Sequence, residues 1–177
     1  MFKIIVGVVI ASLVLIIVLS NVDRYNRNIV NGVQTQEVTD SNKVNATITG
    51  EVARTGTYVV DIGVSLAELV SAANGLTSNA DDLAFDLDYV IDSDLSFYIA
   101  PKYDHTNVCS SDPIQKVNIN VDDKATLMQI NAIGDTIATK IIEYRQSKPF
   151  YRLEDVKNVT GVGNATFEKI KNYITIR

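Results

Sequence analysis

The sequence predicts an α+β protein built in three parts: an apolar N-terminal helix that spans a membrane, a small α+β unit, and an all-α unit at the C-terminal end. Three observations carry this. Residues 4–20 (IIVGVVIASLVLIIVLS) hold no charge; residues 43–101 alternate in the strand manner around one capped helical run; residues 116–177 contain the same helix–turn–helix device twice. A chain of 177 residues has room for one or two small domains and excludes a large multidomain enzyme.

At 1.5 Å per residue the apolar run makes a helix of about 25 Å, slightly short of a hydrocarbon core of about 30 Å. Flanking Phe2 and Val22 and slight bilayer thinning close the gap. A buried core helix would show a polar stripe, which is missing here. A cleaved signal peptide would end in a small-residue A-x-A site, which does not follow, and its apolar region would be shorter, about 7–15 residues. An uncleaved single-span anchor over residues 1–22 is therefore expected, with cleavage as the alternative. Lys3 and the amino terminus on one side nearly balance Arg24 and Arg27 on the other, partly offset by Asp23. Short anchors of this kind usually keep their tail inside, so the C-terminal domains are expected outside the cytoplasm. Residues 23–42, polar and without strong periodicity, read as a stalk.

Composition narrows the chemistry. One Cys (Cys109) and one His (His105) exclude an internal disulfide and a Cys/His zinc cage, and leave no Ser-His-Asp or Cys-His engine. No carboxylates form a recognisable metal cluster, so no catalytic residue, metal or cofactor is expected. The net charge of −5 argues against a generally basic coat, but it is unevenly spread. Residues 1–115 carry six Lys and Arg against fourteen Asp and Glu, whereas residues 116–177 carry ten against seven. An acidic front and a basic tail suggest two domains with different partners.

In residues 43–103, strands are expected at 44–49, 58–60 and 95–99, the last stopping at Pro101. Between them, Ser65 with Glu68 three residues on forms a capping box for a helix ended by Asn74-Gly75. After a linker at 104–115, Asp122 or Asp123 caps a helix running to about residue 130. Helices follow at 135–147, closed by Pro149, then at 153–158 and 164–171. The two tight connections are Asn131-Ala132-Ile133-Gly134 and Thr160-Gly161-Val162-Gly163. In each, the apolar residue plugs the gap between helices. The turn also presents successive backbone amides at a positive helix end, an arrangement suited to phosphate. Lys140 and Lys169, each six residues past the closing glycine, stand where they strengthen such a site.

These segments resemble known families. ITGEVARTGTY, AANGLTSNAD and FYIAP resemble the SLBB domain, a β-grasp-like module of extracellular bacterial proteins, with Thr55 and Asp94 where that pattern carries Pro and Gly. The tandem device is the helix-hairpin-helix pattern. From VNINVDD to KNYI the chain closely resembles the C-terminal domain of the ComEA family, membrane-anchored DNA receptors of bacterial competence. It keeps Asn118-Ile119-Asn120, Leu127, Ile133-Gly134, Ile141-Ile142-Glu143-Tyr144-Arg145, Pro149-Phe150, Glu154-Asp155 and Gly161-Val162-Gly163. It departs at Val121 and Asp122 for Thr-Ala, Asn131 for Pro, Ala132 for Gly, Arg152 for a capping Ser and Thr160 for Lys. Asp135 also puts a negative charge where phosphate would approach.

The order anchor, SLBB, linker, tandem helix-hairpin-helix matches that family too. The resemblance implies a membrane-anchored receptor that binds the phosphate backbone of double-stranded DNA without sequence preference, with other DNA-uptake proteins as partners and an SLBB ligand it does not identify. The expected DNA contacts are Ala132, Ile133, Gly134, Thr136 and Lys140 in the first hairpin, and Gly161, Val162, Gly163, Asn164, Thr166, Lys169 and Lys171 in the second. The second, with both glycines, is expected to be the better site. The alternative is an envelope scaffold or adhesion protein in which SLBB engages glycan or protein and the hairpins only pack.

Overall fold

The computed structural model describes residues 42–104 and 112–177. The expected anchor, the stalk as far as residue 41, His105 and Cys109 lie outside the described residues. Among those described, no helix is long and apolar enough to cross a membrane.

Three strands form the first sheet: β1 (Lys43–Gly50), β2 (Gly56–Asp61) and β3 (Leu95–Ile99), in the order β2-β1-β3. β1 pairs antiparallel with β2 and parallel with β3. The alternation of β1 buries Val44, Ala46 and Ile48 on one face. Helix α1 (Leu66–Ala72) covers that face with Leu66, Leu69 and Val70. Its capping box is present: Ser65 Oγ accepts from the Glu68 amide, and the Glu68 carboxylate accepts from the Ser65 amide at 2.8 Å. Asn74 and Gly75 both adopt positive φ and end the helix. Asp94, standing where the SLBB pattern has Gly, accepts the Asn45 amide at 2.7 Å and so ties the start of β3 to β1.

The hairpin unit begins and ends in a two-residue parallel pair, β4 (Val117–Asn118) with β5 (Ile174–Thr175). An all-α reading had no place for it. Short strands without a turn between them give no local signal; this pair forms because Val117 and Ile174 both enter the core, aligning their backbones. Helices α2 (Lys124–Leu127), α3 (Asp135–Ser147) and α4 (Asn164–Ile170), with a 3₁₀ helix at Leu153–Asn158, complete the unit. The α2 cap is Asp123, which accepts the Thr126 amide at 2.8 Å and is thereby held below the usual carboxylate range. Asp122 instead accepts the Asn118 amide. Asn120 joins three segments: its amide group donates to the Phe150 and Ile176 carbonyls and its oxygen accepts from the Phe150 amide. Arg145 reaches back to the Ile119 carbonyl at 3.0 Å.

Residues 42–177 form one compact unit, and the two halves meet along β3. The Arg152 guanidinium donates to the Ser96 carbonyl at 3.1 Å and to Asp155 at 2.7 Å, and lies within 5.5 Å of the Tyr89 and Phe97 ring centres. Its Nε is buried without a partner among the described residues. Beside it lies buried Glu154; burial pushes this carboxyl up to about 7, with Arg152 and Lys157 opposing. Lys116 and Asp81 form an ion pair at 2.5 Å whose side chains are 7% and 9% exposed. Tyr98 donates its hydroxyl to Asn172, and burial pushes the phenol up to about 12.

Candidate nucleic-acid interface

The two hairpin turns are built alike. Ile133 and Val162 are both 3% exposed, and their amides donate to the carbonyls of Ile130 and Val159, each at 3.0 Å. This fixes the plug of each turn between its helices. The residue before each plug is left-handed: φ is +84° at Ala132 and +99° at Gly161. The first hairpin therefore keeps the backbone of the second although its glycine is lost. Both closing glycines are extended, with φ −88° and ψ 178° at Gly134 and φ −92° and ψ −176° at Gly163. Neither α3 nor α4 has a side-chain cap, so their first amides are left for solvent or a ligand.

The closing glycines carry the functional information. Their φ values suit any residue, and a Cβ built on either meets nothing within 4 Å. Neither strain nor internal packing requires glycine there. What its absence of a side chain leaves is room for an outside group to approach the turn closely. The turns also adjoin: a Cβ on Gly161 would lie 3.6 Å from Ile137 of α3.

Of the remaining expected contacts, Thr136 and Asn164 are exposed beside their turns and Thr166 is half-buried. Lys169 is exposed. Lys140 pairs with Glu143 at 2.7 Å along α3. Lys171 sits over the Tyr98 ring, 4.2 Å from its centre, and pairs with Glu168. That places it at the seam between the two halves. Asp135 is joined to Lys124 of α2 at 2.7 Å. Sequence reasoning named Asp135 but missed Lys124, because the pair spans a turn and has no helical spacing. Among the described residues no group of three His, Cys, Asp or Glu could hold a metal ion.

A sheet-and-helix module joined to two adjoining turns with open closing glycines defines an SLBB and helix-hairpin-helix protein. The helix-hairpin-helix motif matches residues 112–175 and the SLBB domain residues 45–87. ComE operon protein 1 of Bacillus subtilis (strain 168) is 30% identical over 140 residues, covering 73% of this chain and 68% of that protein. The chain belongs to the ComEA family.

Proposed function

We propose that this chain is a single-pass membrane receptor that binds double-stranded DNA without sequence preference for uptake in competence. The supporting observation is the pair of closing glycines that neither the fold nor the packing demands. A phosphodiester is the group that fits such a turn: its oxygens accept from consecutive amides, and its bulk needs the missing Cβ. Contacts of this kind follow the backbone and read no bases. Family membership and the basic balance of residues 116–177 support the same reading. The charge-free run at residues 4–20 supports a membrane anchor, and we place the folded domains outside the cytoplasm as short anchors of this kind usually do. No catalytic role is proposed.

The test is a salt titration of the full-length protein, in neutral detergent, with random-sequence duplex. Affinity should fall with salt on a log–log slope of about 0.9 per phosphate contacted, equally for every sequence. Binding that is unaffected by salt, or restricted to glycan, would favour the envelope scaffold reading and sink this one.

A further inference from the structure

The two turns share a backbone but not a charge pattern. In the first hairpin Lys124, at the start of α2, and Asp135, at the start of α3, meet across the turn. Counted from the closing glycines, the same two places in the second hairpin hold Leu153 and Asn164. The ion pair thus exists in only one of two geometrically matched turns. Its side chains are 41% and 72% exposed, so water and mobile ions screen it and either partner is readily exchanged. The lysine ammonium is a point charge with rotatable donors, and it can take a phosphate oxygen as well as a carboxylate oxygen.

We infer that Lys124 is a phosphate ligand of the first hairpin held in reserve by Asp135, so that this turn engages duplex DNA by exchanging its own carboxylate for a phosphodiester. The inference rests on the DNA-binding reading above and adds an order of events. The second hairpin, with no internal anion at its turn, engages directly; the first follows. Exchange has a distinct ionic signature. A lysine that simply meets a phosphate displaces cations from DNA and adds about 0.9 to the log–log salt slope. Asp135, though freed, stays beside the turn, and its negative charge offsets part of that contribution.

A double-substitution cycle tests this by fluorescence anisotropy of labelled random-sequence duplex, using the full-length chain across a salt series. Asp135→Asn should tighten binding about two- to fivefold, the effect of one charge near a helix end, and steepen the slope, by up to about 0.9. Adding Lys124→Met to Asp135→Asn should reverse both changes. If that second substitution alters neither affinity nor slope, Lys124 does not reach phosphate and the inference fails. It fails equally if Asp135→Asn lowers the melting temperature while leaving affinity unchanged, since Asp135 then serves only the helix. Asn already stands at the matching place, Asn164, so the fold is expected to survive. Salt-dependent binding that is the same in all four proteins overturns the exchange alone. No binding by any of them overturns the DNA reading and the exchange with it.

Discussion

Ala132 holds a backbone conformation that its partner position gives to glycine. An L-residue with a Cβ in the left-handed region is disfavoured by about 1–2 kcal/mol. Ala132→Gly removes that strain but also loosens the unfolded chain, so a net gain of about 0.5–1 kcal/mol is expected in denaturant unfolding. DNA affinity should stay the same, because the turn is already in place. Gly161→Ala should cost about 1 kcal/mol through conformation alone, since its Cβ would make only ordinary contact with Ile137. Gly163→Ala inverts the pattern. With allowed φ and open space, stability should hold or rise by about 0.4–1 kcal/mol, while duplex affinity drops. Stability loss without an affinity change at Gly163 would remove the main support for a phosphate site. The sequence motif showed these glycines together; only backbone angles and empty space divide them into one that the turn requires and one that it does not.

At the scale of elements, β3 is an edge strand, and a side chain of the hairpin unit reaches its outward side where another strand would pair. Arg152 donates to the Ser96 carbonyl, and Glu154 is buried close by. Glu154 titrates near 7 in the folded state, above the ordinary carboxylate value, so the folded chain binds the proton more tightly than the unfolded chain. Stability should therefore fall as pH rises from about 4.5 to 7, by up to about 3 kcal/mol. Glu154→Gln keeps the size of the side chain while removing its titration, and should flatten that slope in melting curves taken across the range. A slope unchanged by the substitution would assign it to other groups. The elements were largely legible in the sequence, because caps, turns and periodicity are local: Ser65 with Glu68, Asn74-Gly75 and Pro149 each act within a few residues. β4 and β5 were not, since their pairing depends on residues 57 apart. The role of Arg152 was equally hidden. It read as a lost cap, whereas the Asp155 carboxylate accepts the Tyr151 and Arg152 amides and frees the guanidinium for the neighbouring sheet.

At the scale of the whole molecule, residues 42–104 and 116–177 meet at a seam that the buried ion pair of Lys116 with Asp81 crosses. Burial lowers the lysine's pKa, and the Asp81 hydrogen bond opposes that shift. Asp81→Ala would strand a buried ammonium and should cost about 3 kcal/mol or more. Because bonds from Arg152, Tyr98 and the Leu83 carbonyl, which accepts the Ile176 and Arg177 amides, also cross the seam, residues 42–177 should melt in one calorimetric transition. Two resolved transitions in the wild type would show that the halves unfold separately. Composition hinted at unlike partners for the two halves, and could not show that the halves are partners of each other.

The sealed edge of β3 also decides how the molecule bears tension. If the hairpin turns hold a duplex as proposed, a pull on it that is resisted at Lys43, where β1 begins, has two routes. One is the covalent chain through residues 105–111; the other is the seam and the parallel β1–β3 ladder. Along the second route the strands slide lengthwise past each other, so the five registered pairs from Ala46–Leu95 to Gly50–Ile99 are loaded together instead of being opened one by one. Shared loading of that kind resists rupture far better than unzipping the same bonds. Arg152 then acts as a rivet that passes load from the hairpins into the sheet.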